Sequence, residues 1–192
     1  MVSASHPPRA PESGHGTPPA SGKVVVNTLQ QVWDVLEAVP DPEIPVVSIR
    51  ELGILRDVRH VEGGVEVIIT PTYSGCPAMG QIEDDIRAAL ALHQLSARIT
   101  TQLAPAWTTD WMTAAAKAKL HSYGIAPPHT TAPSSDQVIR FAPRHQAAAE
   151  AVACPQCGSV NTTETSHFGA TACKALYKCL DCLEPFDYFK PY

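Results

Sequence analysis

Five of the six cysteines in this chain fall within about its last forty residues. Cys154-Pro-Gln-Cys157 and Cys179-Leu-Asp-Cys182 each place two residues between their thiols, and twenty-one residues separate the two pairs. A tight turn of that spacing aims two sulfurs at one ion while backbone N–H groups support them. Two such turns complete a tetrahedral set of four thiolates. A closed tetrahedral thiolate site favours structural zinc; a rubredoxin-like iron or an iron–sulfur cluster is the competing use of the same ligands. Gly158, just after the first pair, suits the left-handed turn such a knuckle needs. In so small a module the metal stands in for a core, so its removal should unfold residues 150–192. An even cysteine count also fits disulfides. However, the opening stretch MVSASHPPRAPESGHGTPPASG has no apolar segment of a secretory leader, and an intracellular chain uses clustered cysteines for metal.

Five further positions could do chemistry. Cys173 is left over beside the four. It reads either as a small buried residue on a ribbon strand or as a spare metal ligand or exchange thiol. His167 reads as surface or core, because four cysteines already fill the site. Cys76, in Pro-Thr-Tyr-Ser-Gly-Cys-Pro, is expected at or just before a helix start, where the dipole favours thiolate. It could bind a soft metal, act as a nucleophile, or simply be buried at a loop–helix junction. Asp41 and Glu43 flank Pro42 and either serve that chemistry or only cap turns. His60, His93 and His121 lie in no recognisable catalytic motif, and neither a phosphate-binding glycine loop nor a zinc-protease HExxH is present. A cysteine hydrolase such as a thioesterase would need a histidine and an orienting partner for Cys76.

Charge narrows the partners. The net charge is -5, the wrong sign for neutralising phosphates. From residue 150 onward five acids (Glu150, Glu164, Asp181, Glu184, Asp187) outnumber three bases (Lys174, Lys178, Lys190). No nucleic-acid partner is therefore expected. No apolar run is long enough to cross a bilayer, and a cytoplasmic protein without a membrane partner is the reading.

The positioning elements follow from periodicity. Leu29, Val32, Trp33, Leu36 and Val39 form one helical stripe, with Asn27 as N-cap and Gln30 as half a capping box. Pro40 and Pro42 stop that helix. Ile54 to Val61 and Val65 to Thr70 read as a hairpin around Glu62-Gly63-Gly64, both glycines supplying positive φ. Ile68 faces opposite to Val67 and Ile69, so the second strand should be covered on both sides. Met79, Ile82, Ile86 and Leu90 mark a second helix, Ala97 to Leu103 a third strand, and Thr109 to Tyr123 a third helix ended by Gly124. Gln137 to Phe141 could be a short strand. Phe186, Tyr188 and Phe189 are expected to close the ribbon, with docking on a partner as the alternative. The predicted fold class is α+β: a small domain of helices and mainly antiparallel sheet, then a four-cysteine zinc-ribbon-like module. The predicted organisation is a tail over 1–23, the domain over 24–125, a linker over 126–150 and the ribbon over 151–192.

The segments DPEIPVVSIRELGI and TPTYSGCPAM resemble the SufT-like family of iron–sulfur assembly factors. Together with APAWTTDWMTAAAKAKLHSYGIAPP and FGATACKALYKCLDCLEPFDYFK, the chain is more specifically similar to the PaaD (PaaJ) family, the D subunits encoded with phenylacetyl-CoA epoxidase. The resemblance covers about residues 27–192. It implies a non-enzymatic accessory role in aerobic phenylacetate degradation: maturing the metal or iron–sulfur centre of the epoxidase system, its reductase foremost. The alternative it leaves is an interaction subunit that stabilises the oxygenase. It implies that Cys76, with Asp41 and Glu43, handles a transient iron–sulfur cluster, and that Cys154, Cys157, Cys179 and Cys182 are metal ligands. A single thiol holds a cluster only when a homodimer mate or a client supplies the rest.

Overall fold

A computed structural model describes residues 28–129 and 151–192. Helix α1 (Leu29–Glu37) opens at Thr28, whose side chain accepts from the Gln31 N–H while the Gln31 side chain accepts from the Thr28 N–H. The capping box therefore sits one residue later than the Asn27–Gln30 expectation. Two neighbouring positions offer the same chemistry, and the register that buries Val32 and Leu36 decides between them. The predicted hairpin forms from β1 (Leu55–Val61) and β2 (Gly64–Ile69). Helix α2 (Met79–Ala91) then carries the chain back to β3 (Ala97–Thr101), which lies parallel to β2. The sheet order is β1-β2-β3, mixed through this β–α–β crossover. Val67 and Ile69 are completely buried, and Ile68 on the opposite face is buried too. Both helices pack on the sheet around Val32, Leu36, Ile82, Ile86 and Leu90.

Of the two hairpin glycines only Gly63 has a positive φ, 82°. Gly64 is needed for a different reason: a Cβ there would stand 2.2 Å from the Ser96 carbonyl oxygen, where β3 meets β2. Gly64→Ala is accordingly expected to cost about 1–3 kcal/mol as a steric insertion. Denaturant unfolding would read it, and an unchanged midpoint would contradict this strand register.

The predicted third helix is broken. Thr109–Trp111 makes one 3₁₀ turn, Met112 is extended, and α3 (Ala114–Ser122) restarts on a Thr113 cap that accepts from the Ala116 N–H. The break serves the two tryptophans. Trp107 donates its indole N–H to the Leu52 carbonyl at 3.0 Å. Trp111 packs at Gly53 and carries the Arg56 guanidinium 3.5 Å over its ring. Gly124 follows α3 with φ 91°, as its sequence position anticipated.

After α3 the chain enters the second sheet. β4 (Ile125–Ala126) pairs in parallel with β7 (Pro185–Phe189), and β6 (Lys174–Cys179) lies between β7 and β5 (Thr162–Ser166). The ribbon's sheet thus takes an edge strand from just after α3, well ahead of the first cysteine pair. The expected strand over 137–141 lies outside the described residues. Alternation along β7 sends its side chains two ways. Phe186 and Tyr188 enter the ribbon's own core with Val152, Cys154 and Cys179. Phe189 enters the main core with Cys173 and Trp107. The Tyr192 carbonyl then accepts from the Thr109 N–H at 3.2 Å and the Thr108 hydroxyl at 2.9 Å. The aromatic tail closes the ribbon and also fastens it to the domain. Among the described residues, no helix is long and apolar enough to cross a membrane.

Candidate metal centre and the thiol at the domain junction

The ribbon's knuckles are built by backbone hydrogen bonds. The Cys154 N–H donates to the Ser159 carbonyl and the Gly158 N–H returns to the Cys154 carbonyl, both at 2.8 Å. Gly158 takes φ 76°, as its place after the knuckle requires. In the second knuckle the Cys179 N–H donates to the Glu184 carbonyl at 3.0 Å, and the left-handed position is filled by Leu183, φ 67°. Asp181 ties the two turns together, accepting from the Ser159 hydroxyl and from Asn161 Nδ2. Sequence reading missed Ser159, Asn161 and Asp181. Their signal was present: short polar residues inside and just after the cysteine pairs.

These turns bring the four thiols within 4.8 Å of one another. Cys154 and Cys182 sulfurs are 3.7 Å apart, and Cys157 and Cys179 sulfurs 3.6 Å. All six cysteines are free, and those separations far exceed the ~2.05 Å of a disulfide. Four sulfurs at about 2.3 Å from one ion would stand roughly 3.8 Å from each other along tetrahedral edges. The donor set therefore fits a metal ion. Cys154 and Cys179 are fully buried, whereas Cys157 and Cys182 are exposed. Hydrogen bonds from the Cys182 and Asp181 amides draw the Cys179 thiol down to about 7, whereas Cys182, against the pull of the Glu184 amide, is pushed up to about 12 by desolvation and its neighbouring thiols; a bound metal would have to displace the remaining protons.

Cys173 does not converge with these four. It is buried in the main core, with its sulfur 3.0 Å from the Thr171 hydroxyl. His167 is on the surface, edge-on to Phe168 and 3.3 Å from Glu164.

The second constellation lies where domain and ribbon meet. The Asp41 N–H and the Ile49 N–H donate to the Val47 and Val39 carbonyls, closing the Asp-Pro-Glu loop on itself. Asp41 is buried, and its Oδ1 accepts from the Glu43 and Ile44 N–H groups at 2.9 and 2.8 Å. Burial raises its carboxyl above the usual range, against the pull of those two amides and of Lys174. The turn-capping role weighed for Asp41 is thus realised. Glu43 is half-buried and lines a cleft of about 450 Å³ with Lys174, Leu176, Phe186 and Asp187.

Cys76 is half-buried, its N–H donating to the Tyr73 carbonyl at 3.1 Å. It is not at the helix start. α2 begins at Met79 with Ala78 as its cap, and Cys76 lies in the preceding turn. Burial pushes its thiol up. The Ala78 amide opposes that shift, while Cys173, Glu43 and Asp41 add to it. The expected dipole-stabilised thiolate is therefore not formed in the free protein: desolvation outweighs the helix. A protonated, half-buried thiol is a poor resting nucleophile, but a metal that displaces the proton can still use it.

Two family models match the chain. The model described as PaaD zinc beta ribbon domain covers residues 140–190, and the one described as iron–sulfur cluster assembly protein covers residues 29–99. A protein of Escherichia coli (strain K12), named as the D component of 1,2-phenylacetyl-CoA epoxidase, is 45% identical over 84% of this chain and 92% of its own. The Fe-S protein maturation auxiliary factor YitW of Bacillus subtilis (strain 168) is 35% identical over 47% of this chain and 91% of its own. A solved domain of unknown function, DUF59, from Bacillus anthracis is 32% identical, with a TM-score of 0.44, over 47% of this chain and 89% of its own.

Proposed function

The chain belongs to the PaaD family of phenylacetyl-CoA epoxidase D subunits, and from that premise we propose that it is a cytoplasmic maturation factor rather than an enzyme. It serves aerobic phenylacetate degradation by helping an iron–sulfur or metal centre of the epoxidase system form, with the reductase as first client. The iron–sulfur assembly match over residues 29–99 supports this, since it contains Asp41, Glu43 and Cys76. The observation that carries the reading is the placement of Cys76: half-buried at the domain edge, in electrostatic reach of both carboxylates, with a thiol that burial keeps protonated. Such a thiol takes a soft metal by losing a proton and releases it on regaining one. Cys154, Cys157, Cys179 and Cys182 hold a structural zinc, because a closed tetrahedral set of four thiolates suits that ion. The organisation proposed is the assembly domain up to residue 125, then a link to the ribbon over 151–192.

Cys76→Ala tests this. The variant is expected to keep its fold and the ribbon's zinc, while the reductase from cells carrying only that variant loses most of its cluster. Normal iron and sulfide content in that reductase would overturn the reading.

A second reading, a non-catalytic subunit that stabilises the oxygenase, is favoured by Val160, Leu180 and Leu183. These side chains are 62, 48 and 64% exposed around the knuckles. Binding separates the two: a maturation factor prefers the cluster-free reductase, a stabilising subunit the oxygenase.

A further inference from the structure

The two knuckles are closed in the same way and differ at one position. In each, the N–H of the first cysteine donates to a carbonyl further round the turn, Cys154 to Ser159 and Cys179 to Glu184. In each, the residue just after the second cysteine takes the left-handed backbone conformation. In the first knuckle that residue is Gly158, and a Cβ there would meet nothing within 4 Å. Glycine is present for its backbone alone. In the second knuckle it is Leu183, φ 67°. A bulky side chain in that region costs backbone strain that glycine would not. Burial could offset the strain, but Leu183 is exposed. A residue both strained and solvent-facing does nothing for the fold that glycine could not do, and such positions gather at functional surfaces.

Two more apolar side chains are exposed at the same end of the ribbon. Leu180 lies inside the strained turn, and its N–H donates to the Asn161 carbonyl at 2.8 Å, which sets it beside the Val160–Asn161 segment. Leu180 and Val160 are both exposed. Asp181 fixes this arrangement through Ser159 and Asn161. Negative charge borders the patch. Asp181 and Glu184 are exposed on either side of Cys182 and Leu183, and four thiolates carry more negative charge than one divalent ion cancels. Of the ribbon's three lysines, Lys174 and Lys190 are buried and Lys178 is exposed. An apolar centre with a polar, charged border is the anatomy of a protein interface. The sign of the border selects the occupant. A second copy of this chain would set like charges face to face, whereas lysine or arginine around an apolar centre would meet opposite charge.

We infer that Val160, Leu180 and Leu183 form the surface by which this chain docks on the oxygenase, at an apolar patch there bordered by basic side chains, with Leu183 as the anchor. This rests on the second reading above, of a subunit that stabilises the oxygenase, and adds the contact that joins the two.

The test compares Leu183→Gly and Leu183→Asn with the unaltered full-length, zinc-loaded protein for binding to purified oxygenase at low and high salt. Both substitutions suit the left-handed backbone, so both variants should keep their zinc and unfold no earlier than the unaltered protein. Both should bind the oxygenase about tenfold more weakly or worse. Association of the unaltered protein should slow as salt rises. Binding lost with stability kept is a result that a leucine serving only the fold would not give. Variants that shed zinc or unfold earlier would make Leu183 a structural residue and overturn the inference. Unchanged oxygenase affinity in both variants also overturns it and leaves the subunit reading standing. No binding by the unaltered protein overturns the reading along with the inference. Association indifferent to salt overturns the basic border. Loss of self-association, or of reductase binding, in place of oxygenase binding gives the patch to another occupant and overturns this one.

Discussion

Cys157→Ser strips the ribbon of its metal and unfolds it, the largest structural effect expected of any single substitution in this chain. Cys157 is the informative choice because it is exposed. Serine there removes a ligand without opening a cavity, whereas the same change at fully buried Cys179 would mix the two losses. The ribbon's private core comprises Ala126, Val152, Cys154, Cys179, Phe186 and Tyr188. Two of those six are themselves proposed ligands, and a module near forty residues seldom folds on so small a core. Structural zinc in such modules has an apparent binding free energy of about 10–16 kcal/mol near neutral pH, and that binding energy is folding energy. Metal analysis should show zinc lost. Hydrogen exchange should show the amides of β5, β6 and β7 losing protection, and a strong chelator should reproduce both changes in the unaltered protein. The effect should also reach the first domain, because Cys173 and Phe189 leave its core when the ribbon unfolds. Undiminished β6 protection after complete zinc removal would show that the aromatic packing alone folds the ribbon.

What the sequence disclosed and what it hid divide along the range of the interactions. The four-cysteine set was readable because each knuckle is closed within a few residues, by Gly158 to Cys154 and Cys179 to Glu184. The stripes of α1 and α2 and the β1–β2 hairpin were readable because periodicity and a glycine turn are local too. Errors of a residue or two arose where neighbours offer equal chemistry, as with Asn27 and Thr28. The break in the third helix was invisible, because Met112 and Thr113 leave helical form so that Trp107 and Trp111 can reach Leu52 and Gly53. The direction of β3 was likewise not local. Cys76 was expected at or just before a helix start, but α2 begins only at Met79. Burial against a distant part of the chain then reverses the thiol's expected tendency. The least legible feature is the one most relevant to function. The ribbon is sutured to the domain by a two-residue strand, one phenylalanine and a terminal carbonyl. Those contacts span scores of residues and leave no periodic trace.

That suture can be cut by Phe189→Ala. Phe189 is 1% exposed and lies in the domain's core, with its ring centroid 6.0 Å from that of Trp107. Truncating a phenylalanine so buried costs about 3–5 kcal/mol through lost transfer energy and the cavity left behind. Unlike Cys157→Ser, this change leaves the four thiols untouched, so zinc should be retained. The expected result is an earlier unfolding midpoint with unchanged metal content. The single transition should also split, since the contacts that make domain and ribbon unfold together have been weakened. Trp107→Ala removes the other ring and the indole hydrogen bond to Leu52. The double variant should cost less than the two singles combined, by roughly 0.5–1.5 kcal/mol for the ring pair itself. A Phe189→Ala protein with wild-type stability would mean that β4 and the terminal carbonyl hold the ribbon unaided.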